Sequence, residues 1–161
     1  RRSHSEKTRG KMSVCSVESS CVVDLVGFDD TLWVRSVPAS TRLLSSAGDT
    51  VGGPKALNGW STSMGADGIV YNTSCSSSDP ATSSLRIVAY DQSLEQQWSL
   101  DLGPPCTYGG TALGEDGMLY LAREDHTGIE VIAVKTSSPG LADTPWPTRL
   151  QNNRRTAWLA H

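Results

Sequence analysis

The side chains best placed to do chemistry are three sets of acids, Asp29-Asp30, Asp67 and Glu115-Asp116. Clustered carboxylates could hold calcium, a hard cation that takes about six to eight oxygen ligands. Each set offers at most two acids, so none fills a coordination shell. Asp67-Gly68 and Asp116-Gly117 are also hairpin-turn dipeptides, because glycine accepts the positive φ that such turns need. Turn geometry accounts for these acids fully. We read Asp67, Gly68, Asp116 and Gly117 as turn residues and assign no metal ligand.

Other chemistries find no local support. Serines are plentiful, but none lies in GxSxG, and His126 in the EDHTG turn reads as a solvated loop residue. His4, His126 and His161 are scattered and no CxxC pair occurs, which argues against a zinc site. Gly48, Gly52, Gly53, Gly109 and Gly110 match neither GxxxxGK[ST] nor a GxGxxG before a helix, so they read as turns and close backbone contacts. No catalytic residue and no cofactor-binding residue is assigned. The four cysteines, Cys15, Cys21, Cys75 and Cys106, allow three pairings. Cys75 with Cys106 and Cys15 with Cys21 is the preferred set, since Cys75 and Cys106 fall at strand ends of adjoining units. Four reduced thiols is the other reading.

The elements that carry these residues repeat. GFDDTLW (27–33), GADGIVY (65–71) and GEDGMLY (114–120) each join a glycine, an acidic turn, apolar residues and an aromatic, at spacings of 38 and 49 residues. An apolar segment precedes each turn, and a strand follows it: TLWVRS, IVYNTS and MLYLAR. After a polar connection of variable length a third strand returns, TRLLSSA, SLRIVAYD or IEVIAVKT, and EQQWSLDL supplies a fourth in the middle unit. Alternation along these strands lets one face enter a core. Four short strands in a repeat of about 40–50 residues is the construction of a β-propeller blade. The expected architecture is all-β, a partial propeller of about three four-stranded antiparallel blades at roughly residues 21–59, 60–108 and 109–161, after a basic, Ser-rich tail over 1–20.

Composition agrees with strands and turns. Charged residues make up 19% of the 161 and hydrophobic ones 37%, with one phenylalanine. Residues 1–11 hold five cations against one acid, while the whole chain carries a net charge of −3. An acidic body argues against nucleic acid as a partner. No apolar run is long enough for a transmembrane helix. A ring closes with about four to eight blades, so three imply the C-terminal part of a larger propeller, its remaining blades missing from this chain.

AYDQSLEQQW (89–98) resembles the Ala-x-Asp … Trp blade motif of PQQ-like propeller repeats, and PWPTRLQNNRRTA (145–157) is similar to the Trp-Pro … Asn-x-x-Thr segment that borders such arrays. The resemblance covers roughly residues 22–157. The motif becomes Ala133-x-Lys135 in the last unit and Leu44-x-Ser46 in the first, and Glu95 stands where a glycine usually precedes the tryptophan. The resemblance implies that large aromatics pack between blades, here Trp33, Tyr71, Trp98, Tyr120 and Trp146. Burying one contributes about 2–3 kcal/mol. Trp60 and Trp158 are open to a second use, as surfaces for stacking a sugar. The chain lacks the adjacent cysteine pair and the calcium-holding acids of the family's quinone dehydrogenases, so no cofactor is expected.

The function expected is a non-catalytic scaffold or binding module of an exported protein, extracellular, periplasmic or at the cell surface of a bacterium. It would bind a protein or small-ligand partner through blade loops. The alternative is the C-terminal fragment of a propeller enzyme, a quinone-dependent dehydrogenase or a glycan-active hydrolase, whose active site lies in blades not present here. In a bacterial protein the Asn72-Thr73-Ser74 sequon would carry no meaning.

Overall fold

The chain alternates short strands with tight turns, and among the described residues it forms no helix. The computed structural model describes residues 21–27, 30–36, 40–45, 47–55, 61–77, 79 and 82–144. Trp60, Trp146, Trp158 and Cys15 lie outside them, as does the side chain of Cys21.

Three antiparallel sheets follow one another along the chain. The first contains β1 (Cys21–Val26), β2 (Leu32–Ser36), β3 (Ser40–Leu44) and β4 (Thr50–Lys55), in that order across the sheet. The second contains β5 (Ser61–Met64), β6 (Val70–Cys75), β7 (Leu85–Tyr90) and β8 (Gln96–Asp101), again in chain order. The third runs β9 (Tyr108–Leu113), β10 (Met118–Asp125) and β11 (Gly128–Lys135). The expected fourth strand of the last unit is absent among the described residues. Instead the chain after β11 leaves its own sheet and crosses to the second, where Leu141 bridges Gly65, the Ala66 N–H donates to the Gly140 carbonyl, and the Ala142 N–H donates to that of Met64.

The fourth strand expected of the first unit had no assigned position in the sequence, and β4 contains Gly52, Gly53 and Pro54. It survives as an edge strand, where a missing N–H costs no ladder bond. The ladder with β3 shifts register on either side of Leu43, and a side chain at Gly53 would meet the Thr41 carbonyl at 2.7 Å. The glycine is there because the two backbones approach that closely.

The cores lie between the sheets. Trp33 and Leu43 of the first sheet pack with Met64, Val70 and Leu94 of the second. Tyr71, Leu85, Ile87 and Ala89 of the second pack with Leu113, Leu119 and Leu121 of the third. Val70 and Tyr71 are neighbours on β6 yet belong to different cores, because side chains alternate across a strand. The first strands also adjoin: β5 lies against both β1 and β9. Small side chains permit this approach, and a 2.9 Å hydrogen bond between the Ser61 and Thr111 hydroxyls joins β5 to β9.

Candidate functional site

The two ends of the sheets differ in kind. At one end lie the tight turns that link the first strand to the second and the third to the fourth. Five of them share one hydrogen-bond pattern. Their first residues are Gly27, Ser45, Gly65, Asp91 and Gly114. In each, the first residue's N–H donates to the carbonyl four residues on, and the fourth residue's N–H donates back to the first residue's carbonyl. The fourth residue has positive φ in all five: Asp30 at 60°, Gly48 at 94°, Gly68 at 80°, Leu94 at 66° and Gly117 at 73°. This is a tight hairpin turn closed by a left-handed residue. The turns at Ser45 and Asp91 escaped the sequence pattern, and Leu94 has an aliphatic side chain where glycine is expected.

The turn acids are occupied by the turns themselves. Asp67 accepts the Ile69 N–H at 3.1 Å, the Tyr71 hydroxyl at 3.2 Å and the Ser137 hydroxyl at 2.8 Å. Asp116 repeats the first two contacts, taking the Met118 N–H at 3.0 Å and the Tyr120 hydroxyl at 3.2 Å. Lys135 donates to the Asp116 carbonyl, and the Thr136 N–H and hydroxyl both donate to the Gly117 carbonyl at 2.9 Å. Burial raises the Tyr71 hydroxyl above the usual tyrosine value, and the neighbouring Asp67 carboxylate adds to the rise. For Tyr120 the hydrogen bond to Asp116 is the leading cause of a rise. Carboxylates committed to N–H and hydroxyl donors have little left for a metal. Among the described residues no group of three His, Cys, Asp or Glu side chains could hold one.

The aromatics divide. Trp33 and Tyr71 are buried between sheets. Trp98 is half-buried on β8, packed against the Tyr71 core. Tyr120 differs from the packing expected of it: 38% exposed, it lies on the outer face of the third sheet. Asn72 of the sequon is buried on β6, where a glycan has no room.

The opposite end carries the β6–β7 and β8–β9 connections. Cys75, at the end of β6, is bonded to Cys106 in the β8–β9 connection, with the Cα atoms 5.6 Å apart. The β6–β7 connection beside it is organised by serines. The Ser77 N–H donates to the Ser83 hydroxyl at 2.8 Å, and that hydroxyl donates to the Ser77 carbonyl at 3.2 Å. The Ser84 N–H donates to the Ser76 hydroxyl at 2.9 Å, and the Thr82 hydroxyl donates to Asp79 at 2.8 Å. Arg123 of β10 donates to the Leu102 carbonyl at 2.8 Å, fixing the third sheet to the β8–β9 connection, and pairs with Glu130 of β11 at 2.6 Å. Asp101 is held below the usual carboxylate range, first by the Gly103 N–H and then by Arg86. This end presents hydroxyls, backbone groups and charges, which suit recognition by hydrogen bonding.

Among the described residues, no helix is long and apolar enough to cross a membrane. No protein-family model, curated protein or solved structure matches the chain.

Proposed function

We propose that this chain is an arc of β-propeller-type blades serving as a non-catalytic binding module of an exported or cell-surface protein. Its similarity to PQQ-like repeats supports the blade reading. So do the up-and-down sheets, their adjoining first strands and the equivalent apolar positions buried between consecutive sheets.

One observation carries the binding role. The two ends of the β6–β7 connection are joined by the Ser76, Ser77, Ser83 and Ser84 hydrogen bonds next to the Cys75–Cys106 bridge. Groups held in place before binding lose little conformational entropy on binding, which favours recognition of a protein or small polar ligand.

Immobilised chain, exposed to a periplasmic or extracellular extract, should retain a partner. A Ser76→Ala/Ser83→Ala variant should lose it while Asp116→Ala, at the other end, keeps it. Retention by all three forms would refute the assignment to this loop. Dye reduction with added quinone and calcium would refute the non-catalytic reading.

A further inference from the structure

The outer face of the third sheet is the copy of a face that is buried one sheet earlier, and among the described residues no other sheet covers it. The registers pair Tyr71 with Ala89 in the second sheet and Tyr120 with Ala133 in the third. Leu85 and Ile87 therefore correspond to Ile129 and Val131. Tyr71, Leu85 and Ile87 are fully buried under the third sheet, whereas Ile129 is 74% and Val131 68% exposed. Exposed apolar side chains gathered on one face mark an interaction surface.

The charges on this face say what covers it. Register places Met118, Tyr120, Ala122 and Glu124 opposite Lys135, Ala133, Val131 and Ile129. All eight share the face. Lys135 thus stands at the turn end and Glu124 at the loop end, with the apolar strip between them, and both are exposed. A twofold axis in the plane of the face and perpendicular to the diagonal from Lys135 to Glu124 reverses the strip onto itself. Each Lys135 then meets Glu124 of a second copy, and near the axis Val131 faces Ala133 and Tyr120 faces Ala122 of that copy.

We propose that the face formed by Tyr120, Ile129, Val131 and Ala133 is a homodimer interface. Two copies pack it sheet on sheet with strands antiparallel and Lys135 opposite Glu124. Such an isologous contact is the commonest form of protein self-association, and aligned sheets pack readily about 10 Å apart. A head-to-tail contact through the first sheet is less suitable, because Val34 and Leu44 on its corresponding face are already buried. The proposal stands on the register of the third sheet and does not require the binding role assigned to the loop end.

Sedimentation equilibrium of the full chain over a wide concentration range tests it. The expected result is a reversible monomer–dimer equilibrium. Val131→Asp, at an exposed site that leaves the fold intact by circular dichroism, should weaken dimerisation roughly thirtyfold or more. Glu124→Lys and Lys135→Glu should each weaken it about tenfold, and an equimolar mixture of the two should recover the dimer, because both rim pairs become attractive again. A chain that stays monomeric throughout overturns the proposal and leaves the face to a different protein or sheet. A dimer unaffected by Val131→Asp overturns the choice of face. Failure of the mixture to recover overturns the antiparallel arrangement.

Discussion

Tyr71 and Trp98 meet with ring centroids 5.9 Å apart and planes tilted by 46°. Tyr71 is fully buried between the second and third sheets, and Trp98 covers it from the edge strand β8. Half-burial limits the contribution of Trp98. Trp98→Ala should cost about 2–3 kcal/mol, below the about 3–5 kcal/mol of a fully packed tryptophan. Chemical denaturation measures it, and a change below about 0.5 kcal/mol would place Trp98 among ordinary surface residues.

Asp67 and Asp116 make the same two turn contacts, but only Asp67 serves a buried tyrosine and the Ser137 hydroxyl. Asp67→Ala should therefore destabilise by about 1–3 kcal/mol and Asp116→Ala by about 1 kcal/mol or less. Equal losses in thermal melts would show that the Tyr71 hydroxyl gains nothing from its buried setting.

The raised tyrosines give stability a defined slope in alkali. Tyr71, Tyr90 and Tyr120 all hold their protons more tightly when folded. Their contribution is complete below the unfolded value of about 10 and is lost as pH rises through the folded values. Stability measured by denaturant should fall above about pH 10, and Tyr71→Phe should flatten that fall. An unchanged slope in Tyr71→Phe would exclude Tyr71 as its source.

Cys75 and Cys106 close a separation of 31 residues across two connections. Replacing both by serine should cost about 2–4 kcal/mol and loosen the β6–β7 loop. Unfolding under non-reducing conditions gives the cost. Hydrogen exchange at Ser77 and Ser84 reports the loop, and exchange rates matching the unaltered chain would show that the serine network stands alone.

Asp30 occupies with φ of 60° the place that Gly68 and Gly117 hold in equivalent turns. Asp30→Gly should stabilise by up to about 1 kcal/mol, relief of left-handed strain outweighing the added freedom of the unfolded chain. A lower melting temperature would mean that the aspartate side chain does more than accept the strain.

Much of the fold was legible because the constraint was local. A left-handed turn position asks for glycine, and Gly68 and Gly117 announced it. Leu94 did not, since its side chain is held by the Trp33 core and packing overrides backbone preference there. Register was harder. Leu43 is the residue paired with Trp33, as Ala89 is with Tyr71, so the first unit's counterpart of Ala89-x-Asp91 is Leu43-x-Ser45, one residue from the sequence alignment. Two adjacent leucines concealed the slip. The serine network of the β6–β7 loop was invisible, because its donors and acceptors meet only after the loop closes. The exposure of Tyr120 was equally hidden: its motif matches that of Tyr71, and only the neighbouring sheet distinguishes them.

The segment after β11 adds backbone hydrogen bonds between the second and third sheets. Residues 136–142 donate to or accept from the turns of both the second and the third sheet through Gly117, Ala66 and Met64. Those two sheets also share the larger core and the Cys75–Cys106 bond. They should open as a single cooperative unit, with slow solvent exchange at Ala66, Thr136 and Ala142. Among the described residues the first sheet is joined to the second through Trp33 and Leu43, the Lys55–Glu95 ion pair and the approach of β1 to β5, and it should be the part that opens first when the molecule is pulled or warmed.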